Sequence, residues 1–146
     1  HPGDSESSIL ELQKKVNYLN STVILVPKNF DTLYCILASD LVIMKDSTTG
    51  MEAIALEKPL IQLNLENSID QVDYVGEGVG FGVYSAKDLK PLVLRILKND
   101  LKISDETREK YINKYFYRID GQASSRIIEL IEQCINKEYL NWKDNN

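Results

Sequence analysis

Ser47-Thr48-Thr49-Gly50, with Glu52 two residues further on, concentrates more ligand-capable groups than any other stretch of the chain. Three consecutive hydroxyls can donate to phosphate oxygens and accept from amides. The run before them, Leu41-Val42-Ile43-Met44, is apolar, and Lys45 and Asp46 separate it from the hydroxyls. Met51 to Leu56 is helix-forming, and Pro59-Leu60-Ile61 opens a second apolar run. This order reads as strand, tight turn, helix, strand, the unit of a parallel sheet with its crossover. The turn then falls at the carboxyl edge of the sheet, where open α/β sheets take their ligands. Hydroxyls and amides at a helix start suit an anion, and the reading that follows is the phosphate of a nucleotide-activated donor. Ser, Thr and Asp are equally ordinary helix caps that satisfy only their own backbone. One hydroxyl can cap while its neighbours face a ligand, so both readings stand.

Other candidates are sparser. Gln62 to Asp73 is polar and predicts a loop after the second strand; it includes Asp70 and Gln71, and a loop of this length is more often functional than incidental. Glycines alternate at Gly76, Gly78, Gly80 and Gly82, but without the lysine and hydroxyl of a P-loop or a dinucleotide fingerprint. They read as a helix end, a turn and a short strand over 80–84. With one histidine and the two cysteines, Cys35 and Cys134, far apart, the sequence offers no zinc spacing and predicts reduced thiols in the core.

The elements that must position the turn follow from periodicity. A helix is predicted after Ser5 or Ser7, with Ile9, Leu10, Leu12, Val16 and Leu19 on its stripe, then a buried strand over 22–26. Asp31 caps a short helix, and Ser85 caps another with Leu92, Val93, Ile96 and Leu97 facing inward. Ser104 opens a helix bearing Tyr111 and Tyr115. The last helix, from Asp120, carries Ile127, Ile128, Leu130, Ile131 and Ile135 as its core stripe, and a polar tail over 137–146 is expected to fray. The class is α/β, with a parallel sheet of about four to five strands flanked by helices. A chain with 43% apolar residues can bury a core as one domain. A net charge of −5 argues against a nucleic-acid surface, and no apolar run reaches the length of a membrane span. The expectation is a soluble, cytoplasmic protein. The bare His1-Pro2-Gly3-Asp4 start suggests that a leading strand and an N-terminal domain are missing.

Four patches together resemble the C-terminal, donor-binding half of GT-B glycosyltransferases and the related UDP-N-acetylglucosamine 2-epimerases. His1-Pro2 resembles the HP pair of bacterial capsule, sialic-acid and CDP-glycerol transferases. Ser47-Thr48-Thr49-Gly50-Met51-Glu52-Ala53 is similar to the STxGxEA pattern of capsule-type enzymes. Asp70-Gln71 with Gly76-Glu77-Gly78 resembles the loop after the donor pocket, and Asp120-Gly121-Gln122-Ala123-Ser124-Ser125-Arg126-Ile127 resembles the DGxAxxRI start of the last helix.

The resemblance implies a Rossmann-like fold and a UDP-, CMP- or CDP-linked sugar as donor substrate, with no cofactor or metal. It gives Ser47, Thr48, Thr49 and Gly50 to the phosphates, Glu52 to the ribose, Asp70 and Gln71 to the donor loop, and His1 to phosphate binding or proton transfer. Two threonines and one glutamate, where the epimerases have paired glycines and paired glutamates, favour the transferase branch. The acceptor site would belong to the N-terminal domain, so this chain alone is expected to bind a donor weakly and catalyse nothing. An epimerase half and a non-catalytic Rossmann-like interaction module are the alternatives. Peripheral membrane association and a homo-oligomer are left open.

Overall fold

The computed structural model of the chain describes residues 6–16, 23–27 and 29–144. The chain divides into two compact units, His1–Cys35 and Ile36–Asn146.

In the first unit, α1 spans Glu6–Val16, with Lys14 and Lys15 in its last turn, where the helix dipole favours positive charge. Lys15 pairs with Glu11 one turn back at 2.8 Å. Leu10 and Leu12, expected to face a core, are about half exposed. The strand predicted over 22–26 is not there among the described residues: 23–27 join no ladder, and Ile24 is 78% exposed. An apolar run forms a strand only where a neighbour takes up its backbone groups, which periodicity cannot supply. Asp31 does act as predicted, its Oδ1 accepting the Leu33 N–H at 2.9 Å at the start of α2 (Thr32–Ala38).

The second unit contains β1 (Val42–Met44), α3 (Thr49–Ala55), β2 (Leu60–Leu63), β3 (Phe81–Val83), α4 (Ala86–Leu97), α5 (Asp105–Tyr115) and α6 (Ala123–Asp144). The sheet is parallel with order β1-β2-β3, Val42 opposite Leu60 and Ile61 opposite Phe81. The fold is therefore α/β with helices flanking a parallel sheet, as predicted, but with three strands rather than four or five. Successive residues of β2 alternate between faces. Leu60 joins Ile36, Ala53, Ile54, Tyr74, Val79 and Tyr111, whereas Ile61 joins Val83 and Ile96 of α4. Helices α3 and α5 thus contribute to the core on one face and α4 to the core on the other. Gln62 and Leu63 belong to β2 rather than to the following loop, and Gln62 is 1% exposed.

Ser104 caps α5 through its hydroxyl, which accepts the Thr107 N–H at 3.2 Å; Ser85 makes no such bond to α4. Leu97, expected inside, is half exposed. Two corrections concern α6. It runs on through the stretch expected to fray, because nothing between Ala123 and Asp144 is glycine or proline. Its predicted core stripe, Ile127, Ile128, Leu130, Ile131 and Ile135, is 52–60% exposed. A sheet of three short strands measures roughly 15 Å either way. A helix of 22 residues is about 33 Å long. Such a helix outruns any cover that sheet can give. Cys134 lies on the same helix and is exposed rather than core; Cys35 is half-buried, and both thiols are free. Among the described residues no helix is long and apolar enough to cross a membrane.

Candidate functional site

The chain leaves β1 at Met44 and enters α3 at Thr49 through four residues, Lys45 to Thr48. Thr48 holds the cap position with helical angles (φ −63°, ψ −15°) and makes no side-chain cap bond. Ser47 does that work instead. Its Oγ accepts the Thr49 N–H at 3.2 Å and donates to Thr49 Oγ1 at 3.0 Å. Gly50 N–H reaches the Ser47 carbonyl at 3.2 Å, and Met51 N–H reaches that of Thr48 at 2.9 Å. Capping is therefore real, and it takes up the amides of residues 49–51. What remains for a ligand is hydroxyl chemistry. The Thr48 side chain is exposed, and Thr49, having accepted from Ser47, keeps its own proton to donate. Glu52 stands exposed in the first turn of α3 with no ion pair among the described residues.

Gly50 is buried, and its neighbour is protein. A Cβ there would lie 2.6 Å from Tyr74 Cζ, 2.7 Å from Tyr74 Cε2 and 2.9 Å from Met44 Cε. The missing side chain makes room for an aromatic ring packed under α3.

Three consecutive turn residues are tied to the segment after β2. Lys45 Nζ donates to Glu66, which holds that carboxyl below its ordinary range. Asp46 Oδ2 accepts the Gln71 N–H at 2.9 Å, and the Ser47 carbonyl accepts the Tyr74 hydroxyl at 2.8 Å. Asn64, 3% exposed, closes the loop from inside. Its Nδ2 donates to the Ser68 carbonyl at 2.7 Å and to Asp70 Oδ1 at 3.1 Å, and its Oδ1 accepts the Ser68 N–H at 3.1 Å. Gln62 Nε2 donates to the Val72 carbonyl at 2.8 Å.

Of the residues singled out in the sequence, Ser47, Thr48, Thr49, Gly50, Glu52, Asp70 and Gln71 thus meet at the carboxyl edge of the β1-β2 pair. His1 lies outside the described residues. Sequence reasoning passed over Asp46, Asn64 and Tyr74. A polar residue directly after an apolar strand was the available signal for Asn64, and Asp46 stands one residue further from its strand, after Lys45. Tyr74, beside a glycine-rich turn, gave none.

Behind Tyr74 a row of rings leads to α5. Tyr74 and Tyr111 have centroids 6.3 Å apart, and Tyr111 and Tyr115 4.6 Å. Burial raises the phenol of Tyr74 above its usual value and pushes that of Tyr111 up to about 12. The Tyr111 hydroxyl is buried without a hydrogen-bond partner among the described residues. At the far end Glu77 Oε1 accepts from Lys114 Nζ at 2.5 Å and from Tyr115 at 2.7 Å. Those two bonds lower the Glu77 carboxyl, and Glu77 in turn raises Lys114 to about 12.

A cleft of about 700 Å³ opens at the other end of the strands, lined by Asp40, Pro59 and Phe81, which precede or begin β1, β2 and β3, with Ile54, Val79 and Ile96 at its floor. It does not include the turn or Glu52. Two of its cations are engaged, Arg108 with Glu57 at 3.0 Å and Asp105 at 3.5 Å, and Lys58 with the Leu37 carbonyl at 2.9 Å; Lys102 also lines it. The one hydroxyl side chain in its lining, Ser39, donates to the Ile36 carbonyl at 2.9 Å.

No family model, curated protein or solved structure matches the chain.

Proposed function

We propose that this chain is the donor-binding half of a nucleotide-sugar-dependent glycosyltransferase of the GT-B type, acting on a surface or capsule-type glycan in the cytoplasm. One observation carries the reading: the hydroxyls of Ser47, Thr48 and Thr49, the Glu52 carboxylate, which has no ion pair among the described residues, and the Asp70-Gln71 loop converge at one carboxyl edge of a parallel sheet. Open α/β sheets bind there. The phosphates lie against the Thr48 and Thr49 hydroxyls, and the ribose hydroxyls donate to Glu52, whose two oxygens both accept. A leaving phosphate at such a site is stabilised by preorganised donors. Acceptor binding and the catalytic base come from an N-terminal domain. UDP, CDP and CMP are added in turn to the chain while its melting temperature and the amide shifts around Thr48 are followed. One nucleotide should raise the first and move the second, and UDP alone doing so would favour the 2-epimerase branch. If none moves the Thr48 amide at saturation, the donor-site reading is abandoned. The exposed stripe of α6 supports a second reading, a non-catalytic interaction module, which that outcome would favour.

A further inference from the structure

Tyr74 lies 27 residues beyond Ser47 in sequence, yet its hydroxyl fills one lone pair of the Ser47 carbonyl, the other being filled by Gly50 N–H. The ring has no freedom to leave. It is 0% exposed, lies against the bare Cα of Gly50 on one side and faces Tyr111 on another. Its backbone is pinned as well. The Tyr74 carbonyl accepts Val79 N–H at 3.0 Å across a turn in which Gly78 has φ +74°, the left-handed region glycine adopts freely. The other two ties of the turn, Lys45 to Glu66 and Gln71 to Asp46, are exposed and compete with water. Of the three ties, only the Tyr74 bond reaches the turn from within the core.

We propose, building on the reading of this turn as the phosphate side of a nucleotide site, that Tyr74 is its positioning residue, aiming the Ser47, Thr48 and Thr49 hydroxyls through the Ser47 carbonyl without touching the ligand. Without the bond, the Ser47 carbonyl keeps only the Gly50 N–H, the turn is tied only by the exposed Lys45 and Asp46 side chains, and the hydroxyls lose their common direction. The ribose side, carried by Glu52 on α3, does not pass through that peptide and keeps its geometry.

Two variants of the full chain test this. Tyr74→Phe keeps the ring and removes the bond; Tyr111→Phe removes a hydroxyl that has no hydrogen-bond partner among the described residues and serves as the control. UDP and uridine are titrated into each, and amide hydrogen exchange is read at Thr49, Gly50 and the β2 residues. In Tyr74→Phe, UDP affinity should fall about tenfold, the effect of one lost hydrogen bond, with uridine unchanged. Exchange at Thr49 and Gly50 should quicken by about the same factor while β2 stays protected. Tyr111→Phe should behave as the wild type in both. Equal losses for UDP and uridine, or a Tyr74→Phe protein with wild-type UDP affinity, would overturn the positioning role. A wild type that binds no UDP moves the titration to CDP or CMP with the matching nucleoside, and one that binds none of the three sinks the donor-site reading; exchange then decides alone: unchanged rates at Thr49 and Gly50 refute the Tyr74 tie, and local quickening upholds it.

Discussion

Replacing Gly50 by alanine sets two effects of opposite sign against each other. Alanine gains up to about 1 kcal/mol over glycine inside a helix, and less in its first turn. Against that, the new methyl would start 2.6 Å from Tyr74 Cζ and 2.9 Å from Met44 Cε. Met44 can swing its terminal methyl away. Tyr74 cannot, being fully buried and bonded to Ser47. Overpacking of this kind costs about 1–3 kcal/mol, and stretching the Tyr74 bond adds about 0.5–1.5 kcal/mol. The expected net loss is about 2 kcal/mol, read as a fall in Tm on the order of 5–10 °C for a domain of this size. Urea denaturation should show the same loss through its midpoint with the slope kept. Combining Gly50→Ala with Tyr74→Leu should cost no more than Tyr74→Leu alone, because the methyl then has space; simple additivity would count against the ring as the obstacle. A Gly50→Ala protein at least as stable as the wild type would refute the account outright. If such a protein also lost nucleotide binding, the glycine would be making room for a ligand and not for the ring.

Other consequences can be measured alongside. Glu52→Ala should weaken both uridine and UDP by about 1–3 kcal/mol in a calorimetric titration, the range for a hydrogen bond to a charged group. Ser47→Ala should lower stability by about 1 kcal/mol through the lost cap, and should weaken UDP but spare uridine; equal loss for both ligands would leave Ser47 as a cap only. Tyr111 has its phenol raised from 10.0 to about 12 in the folded chain, so its contribution is intact below pH 10 and is lost as pH rises toward 12. Tyr111→Phe should therefore shift alkaline unfolding to higher pH. Glu77 is lowered by Lys114 and Tyr115, so its contribution is present above the ordinary carboxylate range and disappears as pH falls through its folded value. Glu77→Gln should flatten the acid limb of the Tm profile, and an unaltered limb would show the Lys114 pair to be ornamental to stability.

Local chemistry was legible wherever one element carried its own signal. The β1-α3-β2 unit follows from an apolar run, a capping turn and Pro59, and the caps at Asp31 and Ser104 act through the side chains their types suggest. The short strand within the glycine-rich stretch appears as β3. Illegible features depend on a partner at long range. Whether the run over 22–26 becomes a strand depends on a neighbour, and whether the α6 stripe becomes core depends on something to cover it; both patterns read the same either way. Gln62 looked like loop because a glutamine in the middle strand of a parallel sheet breaks the apolar rule; its bond to Val72 satisfies Nε2, while Oε1 is buried with no partner among the described residues. Around the candidate site, the hydroxyls and Glu52 were visible as types. The ring that packs beneath them was not, because Tyr74 lies in another segment and announces nothing by spacing.

The ties from Lys45, Asp46 and Ser47 to Glu66, Gln71 and Tyr74 bear on how this domain can be re-engineered. A chimaera that imports a foreign segment for 64–74 and retains 45–47 would strand a lysine, a carboxylate and a carbonyl oxygen together. Transplanting both stretches as a single cassette keeps every donor with its acceptor. Directed libraries that vary the two jointly are therefore the ones in which the chemistry of this edge should change without loss of the fold.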